Sequence, residues 1–159
     1  MVKTIAKKGN VINHKLPNNY LAIRVGKVYK NDPIKEIDNV IKSHKYAWFA
    51  KFGRVVSQIR INRMLSNTTP YLVIVKFEGD KYISKTYKLI ETAQKTLKKG
   101  EPYPSYYSGR EQFVGTWFKI EKTDNQVDVN SLVVKSSFQS LTHALTKSMC
   151  GSFSCTTMY

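Results

Sequence analysis

The sequence predicts an α+β domain, and three observations predict it. Several short segments carry the two-residue periodicity of strands, two segments carry helical spacing behind capping residues, and the apolar content is enough for one core. With 159 residues, 42% hydrophobic and 12% aromatic, the chain can bury one domain well and two only with difficulty. The expected organisation is a basic N-terminal arm over 1–19 and a single domain over 20–159.

The arm holds Lys3, Lys7, Lys8 and Lys15 with Gly9 and Pro17, and offers little to bury beyond a short strand at Val11 and Ile12. Two readings of it stand: a plain terminus, or a non-specific clamp on phosphates. Over 20–29, Leu21, Ile23 and Val25 alternate with Ala22 and Arg24, which is the period of a half-buried strand. Asp32 before Pro33 places a capping carboxylate ahead of a proline at the first helical position, and Ile34, Ile37, Val40 and Ile41 follow at helical spacing.

Residues 45–63, KYAWFAKFGRVVSQIRINR, form the densest stretch of the chain. Tyr46, Trp48, Phe49 and Phe52 fall within seven residues, and Arg54, Arg60 and Arg63 follow; the whole protein has five arginines against twenty-one lysines. Arginine forks onto phosphate and stacks on flat rings better than lysine does, so this concentration points to a nucleic-acid surface. The competing reading is that Trp48 and Phe49 are core, as aromatic clusters usually are. Residues 46–52 read as a strand ending at Gly53, whereas 54–65 fit either helix or strand and lean towards helix. On a helix Arg60 and Arg63 share a face; on a strand Arg54 and Arg60 do.

Residues 67–70 predict a turn. The apolar run YLVIVKF at 71–77 then predicts a central strand buried on both faces, and Glu78-Gly79-Asp80 a hairpin into an antiparallel partner over 81–89. A brief helix is the expectation for 90–99. The loop GEPYPSYYSG at 100–109 carries Tyr103, Tyr106 and Tyr107 beside Arg110, either as a rim for a flat ligand or as a lid with local hydrogen bonds. Residues 113–121 predict a strand holding Trp117, and another strand is expected around 132–134. Ser136 and Ser137 then offer a cap to a helix carrying Phe138, Leu141, Leu145 and Met149, with Gly151 as its stop. The last eight residues are read as a returning edge strand.

A formal charge of +15 favours a polyanionic partner, and nucleic acid is the commonest, because neutralising phosphates releases counterions. No run of eighteen apolar residues exists and the N-terminus lacks the apolar stretch of a secretory signal, so no membrane partner is expected and a cytoplasmic location is. Cys150 and Cys155 are read as free thiols, since one pair with no nearby histidine cannot close a zinc site. His14, His44 and His143 are far apart, the eight glycines form no phosphate-binding fingerprint, and only Glu78 and Asp80 with Lys81 approach a metal-dependent nuclease centre. Neither a catalytic centre nor a metal or cofactor is expected.

The segments YAWFAKFGR at 46–54, YLVIVK at 71–76, YPSYY at 103–107, TWFKI at 116–120 and the Ser136-Ser137 pair before the last helix, in that order, resemble the PUA superfamily, most closely its EVE and related branches. The tryptophan-lysine opening of many EVE domains and the glycine-lysine-glutamate-arginine pattern of ASCH domains are missing. The resemblance implies a small mixed or antiparallel β-barrel flanked by two or three helices, and nucleic-acid binding with one base, sometimes a modified one, held in an aromatic pocket. The pocket it implies draws on Trp48, Tyr106, Tyr107 and Trp117, with Ser57 or Ser137 at a base edge.

The expected function is therefore a non-enzymatic module binding DNA or RNA, with Lys51, Arg54, Arg60, Arg63 and Arg110 on phosphates. The alternative is a small viral inhibitor, in keeping with size and a lysine-asparagine-isoleucine bias, that binds a host protein–nucleic acid complex such as a defence nuclease.

Overall fold

The computed structural model describes residues 18–25, 32–67 and 70–157. The expected arm up to residue 17, its strand at Val11 and Ile12, the end of the first strand and the centre of the turn before Pro70 lie outside them, and Asn19, expected in the arm, instead opens the first strand.

In chain order the elements are β1 (Asn19–Arg24), α1 (Pro33–His44), β2 (Tyr46–Phe52), α2 (Gln58–Asn67), β3 (Pro70–Glu78), β4 (Lys81–Ala93), β5 (Val114–Lys122), β6 (Leu132–Val134), α3 (Leu141–Lys147) and β7 (Ser152–Thr157). Among the described residues seven strands form one sheet in the order β2-β5-β4-β3-β1-β7-β6, antiparallel except for the parallel pair β1 and β3. The result is an open mixed sheet with three helices, and the closed barrel expected from the family resemblance is not formed. Each outer strand is instead capped by its own chain. Trp48 on β2 donates its backbone N–H to Pro102, and Val134 on β6 donates to Gln139. Edges satisfied in this way have no need to close on each other.

Local chemistry explains the elements. The Asp32 carboxylate accepts from the backbone N–H of Ile34 and Lys35, Pro33 opens α1, and Ile37 and Ile41 turn inward. α2 settles the ambiguity over 54–65 in favour of a helix, because Ile61 and Met64 are buried three residues apart with Val56. Gly79, at φ 67°, makes the β3–β4 hairpin, and β3 buries Leu72 and Ile74 on one face and Val73 and Val75 on the other. The brief helix expected over 90–99 is absent: after a register shift between Leu89 and Glu91, β4 continues to Ala93 along β5. The closing helix is shorter than its spacing suggests. Phe138 has φ 60° and ends a turn, Ser140 caps the helix through its hydroxyl, and Phe138 and Met149 are 84% and 96% exposed. β7 lies inside the sheet between β1 and β6, not at its edge.

One face of the sheet is covered by α1 and α2. The other is covered in two halves, by α3 over β1, β3, β6 and β7, and by the tyrosine-rich loop over β2 and β5. Among the described residues no helix is long and apolar enough to cross a membrane.

Candidate functional site

Three adjoining cavities follow the line where the end of β2, the start of α2 and the segment before β7 meet. The first, of about 470 Å³, has aromatic walls from Phe52, Tyr106, Tyr107 and Phe113, with Arg24 and Arg110 among its cations. Lys51 and Gly151 line both this cavity and a second of about 830 Å³, which adds Arg54, Ser57 and Arg60. Arg60, Ser148, Cys150 and Ser152 are shared in turn with a third, of about 800 Å³, which adds Arg63, Lys135, Lys147 and a set of serines. Together they make one trough.

Its charge is one-sided. All five arginines of the protein line it with Lys51, Lys135 and Lys147, and none of the eleven carboxylates does. Cations gathered along a lining that holds no carboxylate raise the local positive potential, and an external anion is its natural complement.

Each cation is held by its own element. Gly53, at φ 83°, turns the chain out of β2, and Gly115 lets β5 pass close beneath that turn: a Cβ on Gly115 would lie 2.3 Å from the Gly53 carbonyl oxygen. Arg54 is therefore presented by a turn with no slack. Lys51 Nζ donates to the Arg54 carbonyl oxygen at 2.9 Å, and burial draws its pKa below the ordinary lysine value, with Arg60 and Arg54 pushing the same way. On α2, Arg60 and Arg63 share a face, and Arg60 Nη2 donates to Ser152 Oγ at 2.7 Å. Arg24 Nη2 donates to the carbonyl oxygens of Leu145 and Ser148, both at 2.9 Å, and so neutralises the end of α3. Arg110 lies over the Phe52 ring at 5.1 Å and donates to the Tyr106 carbonyl oxygen.

All five residues expected on phosphates, Lys51, Arg54, Arg60, Arg63 and Arg110, thus border one continuous trough. The six expected around a base are divided. Tyr106 and Tyr107 wall the aromatic cavity, and burial raises the pKa of both hydroxyls. Ser57 lines the middle cavity and its hydroxyl accepts the Arg60 N–H, while Ser137 lines the far one. Trp48 and Trp117 are only 4% and 3% exposed and line none of the three. They pack beneath the tyrosine loop, with Trp117 5.2 Å from Tyr103 and the Trp48 indole donating to Glu101. Phe52 and Phe113 take the place expected of the tryptophans. Glu78 is paired to Lys76, Asp80 sits in the exposed hairpin turn, and neither lines the trough.

Arg24, Lys135 and Lys147 were not singled out by sequence. Arginine scarcity, the signal that marked the other four, marks Arg24 equally; two lysines among twenty-one carry no comparable signal. Cys150 is exposed in the trough wall, whereas Cys155 is buried and its thiol is pushed up to about 12 by burial.

No family model matches the chain, and no curated protein and no solved structure is significantly similar to it.

Proposed function

We propose that this chain is a non-enzymatic nucleic-acid-binding module that runs a strand along the trough, with phosphates on its cations and one base in the aromatic cavity. The observation that carries the reading is the convergence of every arginine, from sequence positions spread between 24 and 110, on one carboxylate-free trough. Arginine supplies phosphate contacts, and the rings of Phe52, Tyr106 and Phe113 supply a stacking wall of the kind single strands use. A reader of a modified base is the sharper form of the proposal, with this cavity as its pocket. Kinship to the PUA superfamily belongs to the proposal as well; the aromatic loop beside a basic strand end supports it, and the open sheet departs from it. A cytoplasmic setting suits the exposed Cys150 thiol.

A second reading, a small viral inhibitor of a host nucleic-acid-handling complex, rests on a different observation. Val55, Ile59 and Met149 are exposed apolar side chains on or beside the trough wall, a pattern suited to a protein partner at the same surface.

Binding of labelled single-stranded and duplex DNA and RNA at several salt concentrations tests the first reading, with duplexes carrying modified cytosine and adenine included. Preference for one nucleic acid that persists as salt rises supports a base pocket. Weak binding that is uniform and vanishes with salt refutes it and favours the second reading, for which a defined nuclease–guide complex is the binding partner to assay.

A further inference from the structure

The far cavity differs from the rest of the trough. It has no aromatic wall apart from Phe153, and four cations, Arg60, Arg63, Lys135 and Lys147, reach it from α2, from the segment after β6 and from α3. Five serines line it as well: Ser136, Ser137, Ser148, Ser152 and Ser154. Two of its lining residues hold polar atoms shielded from water and without a hydrogen-bond partner, Arg60 Nε and Ser154 Oγ. Unpaired buried polar groups are costly, and a ligand oxygen in the cavity would satisfy them after a small side-chain rotation.

We propose that this cavity seats a phosphomonoester dianion, presented by the phosphorylated end of a nucleic-acid strand whose body follows the trough. The source of the phosphate rests on the nucleic-acid reading; the seat itself does not. An internal phosphodiester carries one charge and two unesterified oxygens, which one or two cations satisfy. A terminal phosphate carries up to about two charges and three strong acceptor oxygens, and four cations with serine hydroxyls that can each donate one hydrogen bond match it better. The cations are also pre-positioned. Arg60 is held by Ser152, and Lys135 Nζ donates to Asn19 Oδ1. The carbonyls at the end of α3 would repel an anion in this cavity, but Arg24 occupies those of Leu145 and Ser148. The position fits an end of a strand, since the cavity joins the rest of the trough through the residues it shares with the middle cavity.

The test is fluorescence anisotropy with one internally labelled single-stranded oligonucleotide in three forms: 5′-phosphate, 3′-phosphate and hydroxyl at both ends. Pyrophosphate is run separately, read out by protection of the exposed Cys150 thiol from a maleimide. One phosphorylated form is expected to bind at least about tenfold tighter than the hydroxyl form, and Lys147→Ala together with Ser136→Ala and Ser137→Ala, all exposed positions, is expected to abolish that gain, so that the variant binds the phosphorylated and hydroxyl forms equally. Equal binding of all three forms, or a gain untouched by these substitutions, overturns the proposal and leaves the nucleic-acid reading standing. Protection by pyrophosphate with no oligonucleotide binding keeps the phosphate seat, with a free phosphate as its source, and overturns the nucleic-acid reading. No protection and no binding overturns both.

Discussion

Replacing Arg60 and Arg63 together by alanine should change the salt dependence of binding, not only its strength. Six cations, Lys51, Arg54, Arg60, Arg63, Lys135 and Lys147, border the two larger cavities, and a single strand sharing them would have about four phosphates neutralised. At about −0.7 per phosphate, log K against log salt should slope at about −3, a loss of about sixtyfold between 50 and 200 mM. Removing two phosphate contacts should flatten the slope by about 1.4 and reduce that loss to about ninefold. The double variant also loses the Arg60–Ser152 hydrogen bond, worth about 2 kcal/mol for a charged donor, so its Tm should fall by about 4–8 °C. Arg60→Lys with Arg63→Lys separates the two effects, because it keeps the charges and weakens only the forked geometry. The assay is anisotropy over a salt series on variants shown to be folded at the working temperature. An unchanged slope in a folded alanine variant would remove α2 from the interface and refute the reasoning.

The other outcomes can be stated briefly. Gly115→Ala puts a methyl group against the Gly53 carbonyl and the Arg54 backbone, and should cost about 1–3 kcal/mol in thermal unfolding while lowering affinity through the displaced Arg54. Because burial lowers the Lys51 pKa from 10.5, a bound phosphate must raise it again; affinity should therefore fall as pH rises through the window below 10.5, and Lys51→Arg should hold its affinity there. The sign for the unbound fold is opposite, since the unfolded lysine holds its proton longer, so unbound stability should gain as pH rises through that window. Trp117→Phe should lower Tm by an amount matching about 1–3 kcal/mol with affinity unchanged, whereas Tyr106→Ala should weaken binding of single strands in anisotropy. Added salt should stabilise the unbound protein by screening the gathered cations, a rise in Tm opposite in sign to its effect on binding.

What the sequence made legible is what local periodicity encodes. The Asp32-Pro33 cap, the two-sided burial of β3 and the hairpin at Gly79 each depend on residues within a few positions of one another. Placement of β7 does not. Whether SFSCTT pairs at an edge or inside is decided by β1 and β6, more than a hundred and about twenty residues away respectively. The same limit explains the tryptophans. Trp48 and Trp117 alternate on strands as a pocket wall would, but the loop that covers their face is anchored by Tyr46 and Trp48 on Glu101 and by Tyr103 on Glu111, contacts that no spacing rule reveals. Phe138 and Met149 kept helical spacing with the helix between them, yet the chain turns away at both ends and leaves them exposed. For the trough, the cluster of Arg54, Arg60 and Arg63 was visible because three scarce residues lie within ten; their meeting with Arg24 and Arg110 follows from sheet order alone.

The cations of the trough do two kinds of work, and the distinction bears on how any binding data should be read. Arg24 from β1, Lys51 from β2 and Arg60 from α2 all converge on the segment 148–152: Arg24 bonds the Ser148 carbonyl, Arg60 bonds the Ser152 hydroxyl, and the end of Lys51 lies against Gly151. These three hold the central wall in place, so truncating any of them perturbs stability and affinity together. Arg54, presented by the Gly53 turn, and Lys147, on the last turn of α3, are exposed and reach the trough from its rim. Truncation there removes charge without loosening the wall, so its effect should appear in the salt slope with little change in Tm. A ligand that fills the trough satisfies both groups at once. It complements the rim charges and relieves the repulsion that Arg60 and Arg54 exert on Lys51, which is why binding and folding should be coupled in this protein.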